Sequence, residues 1–144
     1  TEFLHFYTPT RELFWADYAD TYPQCHTATL MGFRNSRIRY PESGSFSDKG
    51  EDDAILQQYV KNSSVNILSD MPYLYVYVYH RANIWAYSHH RRISTLLAAS
   101  TENISENIGA IPNWIKHFSF GKEPINVMSK DNLVAQLDPP KLAR

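Results

Sequence analysis

The stretch Tyr73-Leu74-Tyr75-Val76-Tyr77-Val78-Tyr79-His80 constrains the fold more than any other in the chain. Tyrosine alternates with Leu or Val at period two, the spacing of a strand whose two faces differ in chemistry. The aliphatic face belongs in a core. The tyrosine face is expected to be partly exposed or covered by another layer. Sheet packing is its plainer use; an exposed Tyr row would instead mark a ligand platform or a protein interface.

Such a strand needs partners. Phe3–Tyr7 reads as a short strand, Thr27–Phe33 as a buried one and Val65–Leu68 as another. Thr10 reads as the cap of a short helix through Tyr18, with Leu13, Phe14 and Tyr18 on one side. Gly50 opens an amphipathic helix in which Ile55, Leu56 and Tyr59 share a face. A brief helix is expected over Ile93–Ala99, and a packed helix or irregular segment over Ile111–Phe120. The Pro-containing tail from Lys122 reads as extended, with a short helix over Asp131–Leu137. The expected architecture is α+β or α/β, a small mixed sheet with flanking helices. The expected division is one domain over residues 1–100, with 101–144 as an extension packing on it or trailing from it.

Length and charge narrow the functional classes. A chain of 144 residues suffices for one core. With a net charge of -1, no overall field recruits nucleic acid or an anionic membrane. No apolar run approaches the roughly 20 residues of a membrane span. One cysteine, Cys25, forms neither an internal disulfide nor a Cys-based metal site, which fits a reducing, cytoplasmic setting. The start at Thr1, without Met, suggests a processed chain or an excised piece of something longer. Ten Tyr and three Trp supply surface for stacking on planar or sugar-like ligands.

The acidic run Glu51-Asp52-Asp53 after Gly50 has a bland reading and a sharp one. Acids are favoured at a helix start, where unpaired amides carry partial positive charge. A carboxylate oriented at the mouth of a cleft is also placed to act as a general base. The other candidates are weaker. His89-His90 is a poor chelate, because adjacent side chains point in different directions, and with Arg91-Arg92 it reads as a solvated basic patch. Cys25 beside His26 fails as a nucleophile for the same directional reason.

Three pieces, taken in order, carry a resemblance over roughly residues 25–90. Ala28-Thr29-Leu30-Met31 precedes a basic residue, Arg34; Arg39-Tyr40-Pro41-Glu42 leads into Gly50-Glu51-Asp52; and the Tyr/Val strand runs into His80-Arg81-Ala82-Asn83-Ile84-Trp85. This resembles the second half of a family 2-type glycosyltransferase of the GT-A fold. There a Thr-Leu-Met strand, a Tyr-Pro-Glu loop, a Gly-Glu-Asp helix start and a His-Gly-x-Asn-Thr-Trp loop follow one another.

The resemblance implies inverting transfer of a sugar from a nucleotide sugar to a glycan or other hydroxyl acceptor. It implies Asp52 as the catalytic base, with Glu51 shaping the acceptor site. It implies His80 as a ligand of a divalent metal, Mn or Mg, on the nucleotide diphosphate. Arg81, Asn83 and Trp85 would belong to a loop that closes over donor or acceptor. This sequence departs from the pattern at Arg81-Ala82, where the family has its glycine segment, and at Ile84, where it has threonine. It has no Asp-x-Asp triplet. The chain is therefore expected to be the acceptor-side piece of a longer enzyme, or a relative that has lost catalysis. Apolar area left exposed by a missing half would favour a homodimer. The alternative is a non-catalytic α+β module that binds a protein or carbohydrate through its Tyr and Trp surface.

Overall fold

The computed structural model describes residues 1–32, 36–45 and 50–139. Arg34, the basic residue of the first motif, and loop residues 46–49 lie outside them. The chain forms two compact units, one of Thr1 with Tyr18–Leu68, the other of Glu2–Asp17 with Ser69–Arg144. This division does not follow the sequence boundary expected at residue 100.

The second unit is built on a sheet. β1 (Glu2–Tyr7) and β2 (Glu12–Asp17) form an antiparallel hairpin, registered from Glu2 opposite Asp17 to Tyr7 opposite Glu12. β3 (Val76–Tyr79) joins the free side of β1 in parallel, and β4 (Ile125–Ser129) joins β2 in parallel. β5 (Asn132–Leu137) returns antiparallel on β4, giving the order β3-β1-β2-β4-β5. The mixed sheet with flanking helices expected from the sequence is thus present.

Two helices expected in this unit are strands instead. The helix from Thr10 is strand β2, and the helix over Asp131–Leu137 is strand β5. In β2 the interior residues Leu13, Phe14, Trp15 and Ala16 are all buried, so the strand is covered on both faces. Its continuous apolar run shows no alternation, and the same residues fit a helical pattern. The turn before β5 places Lys130 at φ 55, so no glycine announces the hairpin.

Register settles what each face does. Leu4 pairs with Val76 and Phe6 with Val78; on this side Leu13, Trp15, Ile125 and Val127 complete an apolar layer. Ile104 of α3 (Thr101–Asn107) packs into it, as do Ile111 and Ile115 of α4 (Ile111–Ile115). Ser100 caps α3, its hydroxyl accepting from the Asn103 amide at 3.1 Å. On the opposite face His5 pairs with Tyr77 and Tyr7 with Tyr79. There α2 (Tyr87–Leu96) lies over the tyrosines, with His90 and Ser94 buried one turn apart. Tyr77 and Tyr79 are therefore covered by α2, and Val76 and Val78 face the core, whereas Tyr73 and Leu74, expected in the same strand, lie in a 3-10 turn (Pro72–Leu74) and are exposed.

In the first unit the main element is α1 (Glu51–Asn62), which buries Ile55 and Leu56. Of the strand expected over Thr27–Phe33, Phe33 lies outside the described residues and the rest is not a strand. Thr27–Thr29 form a 3-10 turn capped by the His26 side chain, and Met31 is 84% exposed. Val65–Leu68 is likewise irregular and exposed rather than a strand.

Candidate functional site

Gly50 enters α1 in the left-handed region, at φ 85, which a glycine adopts without steric cost. The turn it makes presents Glu51, half-buried, and Asp52, exposed, in the first turn of the helix. The Tyr40 hydroxyl donates to Asp52 Oδ1 at 3.3 Å. The carboxylates of Asp52 and, more weakly, Glu51 hold the Tyr40 phenol pKa above its usual value, so it remains a donor. Arg39 is fixed to the same helix: its amide donates to Gln58 Oε1, and its carbonyl accepts from Gln58 Nε2 at 3.1 Å. The Arg-Tyr-Pro-Glu loop is thereby anchored on α1 beside the acidic turn.

In the second unit β3 exits into a turn organised by Asn83. Its Oδ1 accepts from the His80 amide at 2.8 Å, and its Nδ2 donates to the Val78 carbonyl at 3.0 Å. The amide of Asn83 is thus spent on shaping the loop. Arg81 sits at φ 70, and its side chain, like that of His80, is exposed. Trp85 stacks on His89 with centroids 4.4 Å apart and planes 20° apart, leaving Trp85 partly exposed.

Glu51 and Asp52 belong to one unit; His80, Arg81, Asn83 and Trp85 belong to the other. Among the described residues no three His, Cys, Asp or Glu side chains converge as a metal site requires. His80 alone supplies one donor, so the residues described do not form the expected Mn or Mg site. Among the described residues no helix is long and apolar enough to cross a membrane.

Sequence reasoning missed a buried polar arrangement under α2. His5 and His90 are fully buried, and His5 Nε2 lies 3.1 Å from His90 Nδ1. Ser94 Oγ lies 3.0 Å from His5 Nδ1 and 3.0 Å from the Tyr7 hydroxyl. The order is Tyr7–Ser94–His5–His90, and His90 Nε2 at its end has no hydrogen-bond partner among the described residues. Tyr77 and Tyr79 pack their rings on His90, at centroid distances of 4.7 and 4.9 Å. Burial, with His89 and His80 nearby, lowers the His90 pKa to about 4, so the ring is neutral near pH 7. Burial raises Tyr7 to about 12. The available signal was His5 itself, a polar ring inside an otherwise apolar strand, which requires a buried partner.

Comparison with family models, with curated proteins and with solved structures finds no match to this chain.

Proposed function

We propose that this chain is the acceptor-side part of a nucleotide-sugar glycosyltransferase, with Asp52 as its general base. The observation that carries the reading is the Tyr40–Asp52 hydrogen bond. It joins the two ends of the second sequence piece, the Tyr-Pro-Glu loop and the Gly-Glu-Asp helix start. A second observation supports the third piece. Arg81, where the family loop carries glycine, adopts the left-handed backbone that glycine favours.

In this reading the Asp52 carboxylate accepts the proton of an acceptor hydroxyl as that oxygen attacks the anomeric carbon. The new C–O bond forms while the bond to the nucleotide diphosphate breaks, and the diphosphate departs with the electron pair. A single displacement inverts the anomeric centre. Tyr40 holds the carboxylate in place. Glu51 borders the acceptor, and Asn83 keeps the His80–Trp85 loop in a fixed shape. His80 as a metal ligand, and Mn or Mg as cofactor, belong to this proposal only by resemblance. Exposed apolar residues such as Ile84 and Leu96 favour a homodimer, which sedimentation or light scattering would reveal.

The test is transfer from a panel of nucleotide sugars to hydroxyl acceptors by the complete natural gene product, with the product's anomeric configuration read by NMR. The reading expects inversion. Retention, or no transfer from any donor, overturns it. In the latter case the carbohydrate- or protein-binding module becomes the better account, favoured by the exposed Trp85–His89 stack.

A further inference from the structure

The helical layers of the second unit are fastened to the sheet in different ways. α3 and α4 bury Ile104, Ile111 and Ile115 in the apolar layer. α2 buries His90 and Ser94, and among the described residues neither apolar cluster of the sheet includes a side chain of α2. Its attachments are polar and aromatic. His90 meets His5, and Ser94 meets both His5 and Tyr7. The Tyr87 ring lies 5.4 Å from that of Tyr79, centroid to centroid. Arg91 pairs with Glu12 of β2 at 3.2 Å and with Asp131 of the β4–β5 turn at 2.6 Å, and its guanidinium lies 5.0 Å over the Phe14 ring.

The two ends of α2 are held unequally. At its C-terminal end the Leu97 carbonyl accepts from the Asp17 amide, and the Ala99 amide donates to the Trp15 carbonyl, both at 2.8 Å. The Ser129 hydroxyl donates to the Ala99 carbonyl, also at 2.8 Å. At its N-terminal end residues 84–88 are exposed. Rotation about the pinned end would uncover Tyr7, Tyr77 and Tyr79 while the apolar layer on the other side of the sheet stays packed. We propose that α2 is a hinged cover over this tyrosine face, and that acid lifts it by protonating His90. The cover is independent of the transferase reading, whose base lies in the other unit.

Around His90 stand His5 and Tyr7 of β1, Tyr77 and Tyr79 of β3, Tyr87, His89 and Arg91 of α2, and His80 at the exit of β3. Glu12 and Asp131 are engaged by Arg91. A neutral His90 ring is satisfied at Nδ1 by His5. A protonated ring carries a second N–H, at Nε2, and among the described residues that buried atom has no partner. Burial, with His89 and His80 nearby, holds the closed-state pKa at about 4, against an ordinary 6.5 once the ring meets water. The closed state is therefore favoured above pH 6.5, and its advantage is lost as pH falls toward 4. Over that window opening becomes about tenfold more frequent per pH unit, and about 300-fold more frequent in all.

The experiment is native-state hydrogen exchange of the unaltered chain between pH 7 and 4, corrected for the intrinsic exchange rate at each pH. Amides of α2 should be less protected than those of β4 at every pH, and their opening should rise with acid by the factors above. His90→Phe should flatten most of that rise. Arg91→Met should increase opening at every pH and leave the slope in place. Equal protection of α2 and β4 throughout overturns the proposal, because the helix then opens only with the whole unit. So does a pH-independent opening of α2 in the unaltered chain, a comparison that stands even where His90→Phe does not fold. A full rise that persists in folded His90→Phe overturns it as well.

Discussion

The imidazoles of His5 and His90, 85 residues apart in sequence, meet at 3.1 Å inside the second unit. The contact joins the middle of β1 to the buried side of α2. Because His90 is fully buried, its ring resists protonation.

Stability of the second unit should therefore fall with acid. His90 has a folded pKa of about 4 against an ordinary 6.5. Between those values the unfolded chain binds a proton that the folded one refuses, so stability rises with pH across the window. It is lost progressively as pH drops from about 6.5 toward 4, by about 3 kcal/mol in full. Denaturant midpoints measured across that range should show the slope, and His90→Phe should remove most of it. A flat profile in the unaltered protein contradicts the account.

Ser94 links the two ends of the buried chain, to Tyr7 and to His5. Ser94→Ala takes a partner from both groups at once. The expected cost is about 2–4 kcal/mol by urea unfolding, because two buried polar groups lose a partner. Tyr7→Phe should cost less, since it removes the phenol along with its need for a partner. A Ser94→Ala variant as stable as the parent would mean that the network contributes nothing.

The sheet core and the loop rim should respond very differently to truncation. Ile104 is fully buried in the apolar layer, and Ile84 is 79% exposed in the loop after β3. Ile104→Ala should cost about 2–5 kcal/mol. Ile84→Ala should stay within about 0.5 kcal/mol. Comparable losses at both positions would place the core elsewhere.

Arg81 adopts φ 70, a backbone that costs a residue bearing a Cβ roughly 1–2 kcal/mol. Arg81→Gly should relieve this and gain about 0.5–1 kcal/mol, after the greater freedom of glycine in the unfolded chain is allowed for. Asn83→Ala should act in the opposite sense. It releases the His80 amide and the Val78 carbonyl, so amide exchange should accelerate across residues 80–85. Unchanged exchange in Asn83→Ala would show that the loop is held by other means.

The sequence was legible where one periodicity had no rival. The Tyr/Val alternation reported a two-faced strand, and over Val76–Tyr79 the two faces meet different layers, while Tyr73 and Leu74 turn away into a 3-10 turn. The helix after Gly50 was equally clear from Ile55, Leu56 and Tyr59. Strand β2 was not, because Leu13-Phe14-Trp15-Ala16 is buried on both sides and its apolar run carries no period. The β4–β5 hairpin hid behind a turn whose left-handed residue is Lys130 rather than glycine. Among the candidates, Glu51 and Asp52 in one unit and the His80–Trp85 loop in the other could be named from local motifs alone. The Tyr40–Asp52 bond could not, and neither could the His5–His90 contact. Pairings between distant residues depend on the fold, which no local spacing encodes.

Asp52 is the residue on which the functional reading turns, and replacing its carboxylate by a near-isosteric amide isolates the chemistry from the shape. The decisive measurement is the rate of sugar transfer by the complete natural gene product carrying Asp52→Asn, with nucleotide-sugar affinity measured in parallel. The account predicts transfer reduced by about 10²–10⁴-fold with donor affinity unchanged. Transfer at the parental rate, with the amide in place of the carboxylate, would contradict it.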